Sequence, residues 1–176
     1  MGAYLARMYA MFWRERSIVI VGLDGAGKTT VLYNLQFGEE IENTVPTLGF
    51  NVENLQVNKT KFKAWDLGGQ HKLRELWHYY YEDIDGIVFV MDSVDKDRFP
   101  EARGELHTIL TNQRLRDLPV LILANKQDIS LAANKTEIVE ALGYSIFAKD
   151  NIHVVECSAR FNQRVNIAFE WLVNQF

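Results

Sequence analysis

Residues 22–29 read Gly22-Leu23-Asp24-Gly25-Ala26-Gly27-Lys28-Thr29, a G-x-x-x-x-G-K-T run between a β-branched apolar stretch (17–21) and a helix-like one (30–37). A chain carrying this unit must set a strand, a tight glycine loop and a helix N-terminus in succession, which constrains it to alternating sheet and helix. The ligand chemistry is constrained as well. Three glycines let the backbone curl until successive N–H groups point inward. The following helix adds its unpaired first amides and the positive end of its dipole. Lys28 supplies a point charge for the outer phosphates, and the Thr29 hydroxyl a Mg2+ ligand. The expected ligand is a nucleoside polyphosphate with Mg2+, cradled by Asp24, Gly25, Ala26, Gly27, Lys28, Thr29 and Thr30.

The rest of the chain fits that frame. Four short apolar runs, 18–21, 87–91, 120–124 and 152–155, are rich in β-branched residues. Their continuous apolar character implies burial on both faces, as in a parallel sheet covered by helices. Helical periodicity occupies 29–37, 73–81, 99–111, 136–142 and 165–174. Two more strand-like runs, 50–57 and 60–67, flank Asn58-Lys59, and Asn tolerates the left-handed backbone of a tight hairpin turn. The predicted fold class is α/β: a six-stranded, mostly parallel sheet with one antiparallel edge strand and helices on both faces.

At 176 residues the chain suffices for one domain with a sizeable core. The net charge of −4 gives no basic field to draw it to nucleic acid. A single cysteine, Cys157, permits no internal disulfide and suits a reducing, cytosolic compartment, with the thiol serving as a small buried apolar group. His71, His78, His107 and His153 have no metal-ligand spacing. No stretch is long and apolar enough to span a bilayer, and residues 1–13 lack the uninterrupted apolar core of a secretory signal.

Three further motifs stand at the ends of predicted strands. The first is Trp65-Asp66-Leu67-Gly68-Gly69-Gln70. A strand-terminal Asp66 beside a phosphate loop holds Mg2+, two glycines admit backbone to the terminal phosphate, and Gln70 can orient an attacking water. The second is Asn125-Lys126-Gln127-Asp128. Ligands of open α/β sheets bind outside the carboxyl ends of strands. There the Asp128 carboxylate can accept hydrogen bonds from guanine N1–H and its exocyclic amine, a donor pair adenine lacks. Lys126 can lay its alkyl stem along the base, and Asn125 can brace the loop. The third is Cys157-Ser158-Ala159, where a backbone N–H can meet the guanine carbonyl. The four motifs in this order point to guanine nucleotide, GTP or GDP.

With these residues in place, the chain resembles the ADP-ribosylation-factor branch of the small Ras-like GTPases over essentially its whole length. The motifs that carry the resemblance are residues 21–30, Pro46-Thr47-Leu48-Gly49-Phe50-Asn51, residues 65–70 and residues 125–128. Asp24-Gly25-Ala26 and Leu67 look more like the ADP-ribosylation-factor-like proteins than the founding factors. The resemblance implies a phosphate-loop small G-protein fold and a switch that hydrolyses GTP to GDP and phosphate. It implies work with an exchange factor, a GTPase-activating protein and effectors. It assigns catalysis to Gln70 and Lys28. Thr47 becomes the first-switch threonine that completes Mg2+ with Thr29 and Asp66, and Gly69 the glycine whose amide touches the γ-phosphate. Pro46 stiffens its loop, and Thr47 is the only hydroxyl between it and the hairpin. Phe50, Trp65 and Tyr80 match an effector-binding aromatic triad. No arginine is obviously supplied in cis, Arg74 lying on a helix that can point elsewhere, so slow hydrolysis without a partner is expected.

The N-terminus reads as a membrane device. Gly2 is available for N-myristoylation, with Ala6 where Ser or Thr is favoured. Leu5, Met8, Tyr9 and Phe12 share one helical face, opposite Arg7 and Arg14, with Trp13 at the flank. One myristoyl chain binds membrane only marginally, so an amphipathic helix is the expected second anchor. The resemblance implies that the hairpin slides on GTP binding and releases this helix. The expected organisation is an N-terminal helix over 1–16 and a GTP-binding domain over 17–176, working as a monomer. It is expected in the cytoplasm and reversibly on an intracellular membrane, the Golgi, in vesicle traffic. The rival readings are a phosphate-loop kinase, which Asp128 argues against, and a scaffold that binds but does not hydrolyse, which Gln70 and Thr47 argue against.

Overall fold

The computed structural model describes residues 15–38, 47–143, 145–146 and 149–176. Gly2, the body of the N-terminal helix and Pro46 lie outside the described residues. Six strands form one sheet: β1 (Arg16–Val21), β2 (Phe50–Val57), β3 (Thr60–Leu67), β4 (Gly86–Asp92), β5 (Val120–Asn125) and β6 (Ile152–Glu156). Their order is β2-β3-β1-β4-β5-β6. Only β2 and β3 pair antiparallel, and all other neighbours run parallel.

Continuous apolar runs make β1, β4 and β5 because each residue has a core to enter on whichever side it points. Ile18, Ile20, Val88, Val90, Leu121 and Leu123 face one core, which α1 (Lys28–Phe37) and α5 (Val165–Val173) close with Val31, Leu32, Ala168, Phe169 and Leu172. Val19, Val21, Ile87, Phe89, Met91, Val120 and Ile122 face the other. There α3 (Phe99–Thr111) and α4 (Lys135–Leu142) contribute Leu106, Ile109, Ile138 and Leu142. Helices therefore cover both faces, as the sequence predicts.

Local chemistry sets the element ends. Gly38 ends α1 in the left-handed conformation, φ 69°, its N–H donating to Asn34 O. Asn134 opens α4 with a reciprocal capping box to Glu137. Asn58 takes φ 55° in the hairpin turn, and Val57 pairs with Thr60 across it.

Two expectations are corrected. The helix expected to run to residue 16 cannot include Arg16, which opens β1 in register with Phe62. Its guanidinium pairs with Asp85 at 3.2 Å and donates to Phe176 O at 3.0 Å, so strand pairing and an ion pair fix it. The single helix expected over 73–81 is instead a short α2 (His71–Arg74) followed by a 3-10 turn (Trp77–Tyr80). Trp77 explains the break: its Nε1 donates to Gly68 O at 3.0 Å while its ring is buried. The tighter i→i+3 turn then brings Tyr80 against Phe50 and Trp65.

Candidate functional site

The carboxyl ends of β1, β3, β4 and β5 meet along one rim of the sheet, where crevice ligands of such folds sit. The phosphate loop leaves β1 at Gly22, φ 142°, where any side chain would run into the Val90 carbonyl oxygen. A cleft of about 430 Å3 opens beside it. Asp24, Gly25, Gly27, Lys28, Thr29, Thr30, Thr47, Gly69, Gln70 and Lys126 line it, so residues from four separate sequence motifs converge. Ala26 is buried behind the loop.

Lys28 is buried, its ammonium donating to Gly22 O at 3.0 Å and Leu23 O at 2.8 Å. Burial pushes its pKa down to about 8, against the attraction of Asp66 and Asp24. An ammonium so poorly compensated is a ready partner for phosphate oxygens.

Thr29, Thr47 and Asp66 form the second cluster. The Thr29 hydroxyl donates to Asp66 Oδ2 at 2.6 Å and lies 2.8 Å from the Thr47 hydroxyl, itself 3.4 Å from the same carboxylate oxygen. Asp66 is fully buried, and its Oδ1 has no hydrogen-bond partner among the described residues. Burial raises its pKa, opposed by the Thr29 hydrogen bond and the Lys28 charge. A buried carboxylate with an idle oxygen, flanked by two hydroxyls, is a hard-oxygen donor set suited to Mg2+.

The loop after β3 closes onto the phosphate loop. A methyl group on Gly69 would run into Lys28 Nζ and lie 2.5 Å from both the Asp24 amide nitrogen and the Gly22 carbonyl oxygen. Only glycine permits that approach. Gln70 is exposed at the start of α2, and its side chain makes no hydrogen bond among the described residues in the cleft it lines.

On the base side, Asn125 ties two loops together. Its Nδ2 donates to Ala26 O at 2.8 Å, and its Oδ1 accepts from the Ala159 amide at 2.9 Å. It braces the loop as expected, but it uses the Ala159 N–H to do so, and the Ser158 N–H donates to Gln163 O. A guanine carbonyl would share the Ala159 donor with Asn125, a bifurcated arrangement. The Ser158 hydroxyl donates to Asp128 Oδ1 at 2.6 Å, which orients that exposed carboxylate. Lys126 sits at φ 69°, and its ammonium reaches Asp92 Oδ2 at 2.6 Å, which fixes the direction of its stem.

Sequence reading missed the charges behind the loops. Arg74 is buried and points inward, donating to Gly69 O at 2.7 Å, Glu101 at 2.8 Å and Glu105 at 3.1 Å. Arg98 donates to Asp24 Oδ1 and Asp24 O, each at 3.1 Å. No local motif marks Arg98, Glu101 or Asp92. Phe50, Trp65 and Tyr80 do cluster, ring centroids 5.3–6.0 Å apart, with Phe50 exposed and the other two half-buried.

Known proteins share this layout. The profile of the ADP-ribosylation factor family matches residues 3–176. The ADP-ribosylation factor-like protein 1 of Caenorhabditis elegans is 43% identical over 176 residues, covering 99% of this chain and 97% of that protein. The solved structure of the Arl6 (BBS3) small GTPase from Trypanosoma brucei, with the bound nucleotide analogue GppNp, superposes with a TM-score of 0.83 at 29% identity, covering 92% of this chain and 97% of that one. The chain belongs to the ADP-ribosylation factor family of small GTPases, guanine-nucleotide switches that hydrolyse GTP.

Proposed function

We propose that this GTPase is a recruitment switch for an intracellular membrane, the Golgi, in vesicle-mediated transport. One observation carries the reading: Thr47 and Gly69, on the two chain segments that meet at the open end of the β2–β3 hairpin, both converge on the phosphate loop. A contact that exists only with the γ-phosphate therefore biases the hairpin, a two-state element, together with its Phe50 and Trp65 and the Tyr80 packed against them. Phe50, Trp65 and Tyr80 supply the effector platform, aromatic anchors being suited to interfaces.

Within the site, Lys28 and the loop amides hold the phosphates, and Asp128, oriented by Ser158, selects guanine. Thr29, Thr47 and Asp66 would hold Mg2+, which when bound neutralises phosphate charge. Gln70 orients the attacking water. The two guanidiniums next to the phosphate loop, Arg74 and Arg98, are both engaged by carboxylates, so neither is free for the developing phosphoryl charge. Hydrolysis is accordingly slow until an activating protein supplies that charge, a factor of about 10³–10⁵ in related systems.

The membrane half of the proposal rests on Gly2 and the amphipathic pattern of residues 4–14. Sedimentation of the full-length, myristoylated chain with liposomes tests it. Loading with a non-hydrolysable GTP analogue is expected to bring the chain down with the vesicles, and GDP to leave it in the supernatant. Equal binding in both states defeats the switch. Equal binding of the Gly2→Ala chain, which cannot be acylated, defeats the lipid anchor.

A further inference from the structure

We infer that Arg98 is a nucleotide-retention latch: by holding the Asp24–Gly25 peptide of the phosphate loop in one orientation, it slows release of the bound nucleotide. The inference rests on the nucleotide site described above and concerns how that site is regulated.

Arg98 ends the 3-10 turn Lys96–Arg98 that leads into α3. Its Nη2 donates to the Asp24 carbonyl and its Nη1 to the Asp24 carboxylate. Nε donates to Asp95 Oδ2 at 2.6 Å, which fixes the plane of the guanidinium. A planar fork held on one edge presents its remaining donors in fixed directions.

The Asp24–Gly25 peptide is trans, so its N–H points opposite to its carbonyl. The carbonyl faces Arg98, hence the Gly25 N–H faces away from it, and Gly25 lines the phosphate cleft. Gly25 sits at φ 73° and has no intrinsic reason to keep that orientation, because glycine samples both signs of φ about equally. No backbone hydrogen bond among the described residues fixes this amide. Arg98 does.

Asp24 also lies 3.5 Å from Arg74, whose Nε holds the Gly69 carbonyl. One carboxylate of the phosphate loop thus sits between the lead-in to α3 and the loop after β3 that carries Gly69. Arg98 is a positioning residue, acting on the ligand through the Gly25 amide. Its side chain is 34% exposed, so screening keeps the effect moderate.

The test is the dissociation rate of N-methylanthraniloyl GDP from the full chain. Arg98→Ala is expected to release it about two- to fivefold faster, the loss of a partly screened pair. Arg98→Lys should fall between, since one ammonium cannot serve both the carbonyl and the carboxylate in the fork's geometry. The double variant Arg98→Ala/Asp24→Ala should fall short of the product of the two single effects. Lys96→Ala, which loses only an exposed pair with Glu137 in the same turn, should release at the wild-type rate. Release from Arg98→Ala at the wild-type rate overturns the latch. So does equal acceleration by Lys96→Ala, or a double variant that reaches the full product. Should Arg98→Ala fail to fold, Arg98→Lys decides alone: wild-type release from it overturns the proposal. A wild-type chain that does not retain GDP would instead refute the underlying site.

Discussion

Among the described residues, two carbonyl oxygens accept hydrogen bonds from the buried Lys28 ammonium. Burial lowers its pKa to about 8 from the usual 10.5. The sign follows from proton counting. Between those two values the unfolded chain keeps the lysine proton and the folded, nucleotide-free chain has lost it, so stability of that form rises with pH across the window. Below about pH 8 both states are protonated, and burying the charge is a standing cost to the folded one. A polyphosphate reverses the balance by favouring the ammonium. Titration calorimetry of GDP in two buffers of different ionisation heat should therefore show uptake of about one proton near pH 9 and none near pH 6.5. Identical heats in the two buffers at the higher pH would remove Lys28 from the phosphate site. Residues such as Lys28, Thr29, Asp66 and Asn125 were legible in the sequence because each stands in a short run whose local geometry dictates its use. Arg98 was not, because its partner Asp24 is 74 positions away and only the packing of α3 brings them together. Asp92 escaped notice for the same reason, 34 positions from Lys126.

The β2–β3 hairpin is the element on which the switch reading turns, and its two-residue turn fixes its register. Asn58 holds φ 55°, a region that costs an L-residue with a Cβ roughly 1–2 kcal/mol unless its side chain can bond locally. Asn58→Ala should lower stability by about 1 kcal/mol, while Asn58→Gly should be neutral or slightly stabilising. Thermal melts of the GDP-loaded chain would read the alanine change as a fall of about 2–4 °C. An alanine variant as stable as the parent would mean the register is set elsewhere. This turn was legible, since Asn-Lys between two alternating runs leaves few choices. So were the strand cores, because β-branched continuity records burial on both faces. The segment after Gln70 was read wrongly for an instructive reason. Its periodicity from 73 to 81 suits a helix, yet the buried Trp77 indole needs an acceptor, and it finds one in Gly68 O where the chain has tightened into a 3-10 turn. Periodicity records which side chains are buried and is silent about a long-range hydrogen bond. Arg16 carries the same lesson at the other end: its strand partner Phe62 and its side-chain partners Asp85 and Phe176 O all lie far along the chain.

At the scale of the whole molecule the sheet divides into two mechanical parts. β1, β4 and β5 are interior strands with apolar side chains buried on both faces, so opening them means giving up both cores at once. β2 is an edge strand that pairs, among the described residues, with β3 alone, and its first residue, Phe50, is exposed. The loops that flank the hairpin end at Thr47 and Gly69, on the phosphate side. Ligand energy delivered at the γ-phosphate therefore reaches the softer part of the sheet first, while the stiff part carries the phosphate loop and the guanine side unchanged. Amide exchange rates follow local opening free energies, which are lowest at such edges and approach the global value in the central strands. Exchange in residues 47–57 and 65–80 is accordingly expected to slow when GDP is replaced by a non-hydrolysable GTP analogue, with residues 86–92 and 120–125 equally protected in both states. Uniform slowing across the sheet would show that nucleotide acts on global stability by mass action alone, and the hairpin would lose its place as the moving part. Confinement of the change to the hairpin and the turn that carries Tyr80 would tie γ-phosphate contact to the aromatic surface by the shortest route through the fold.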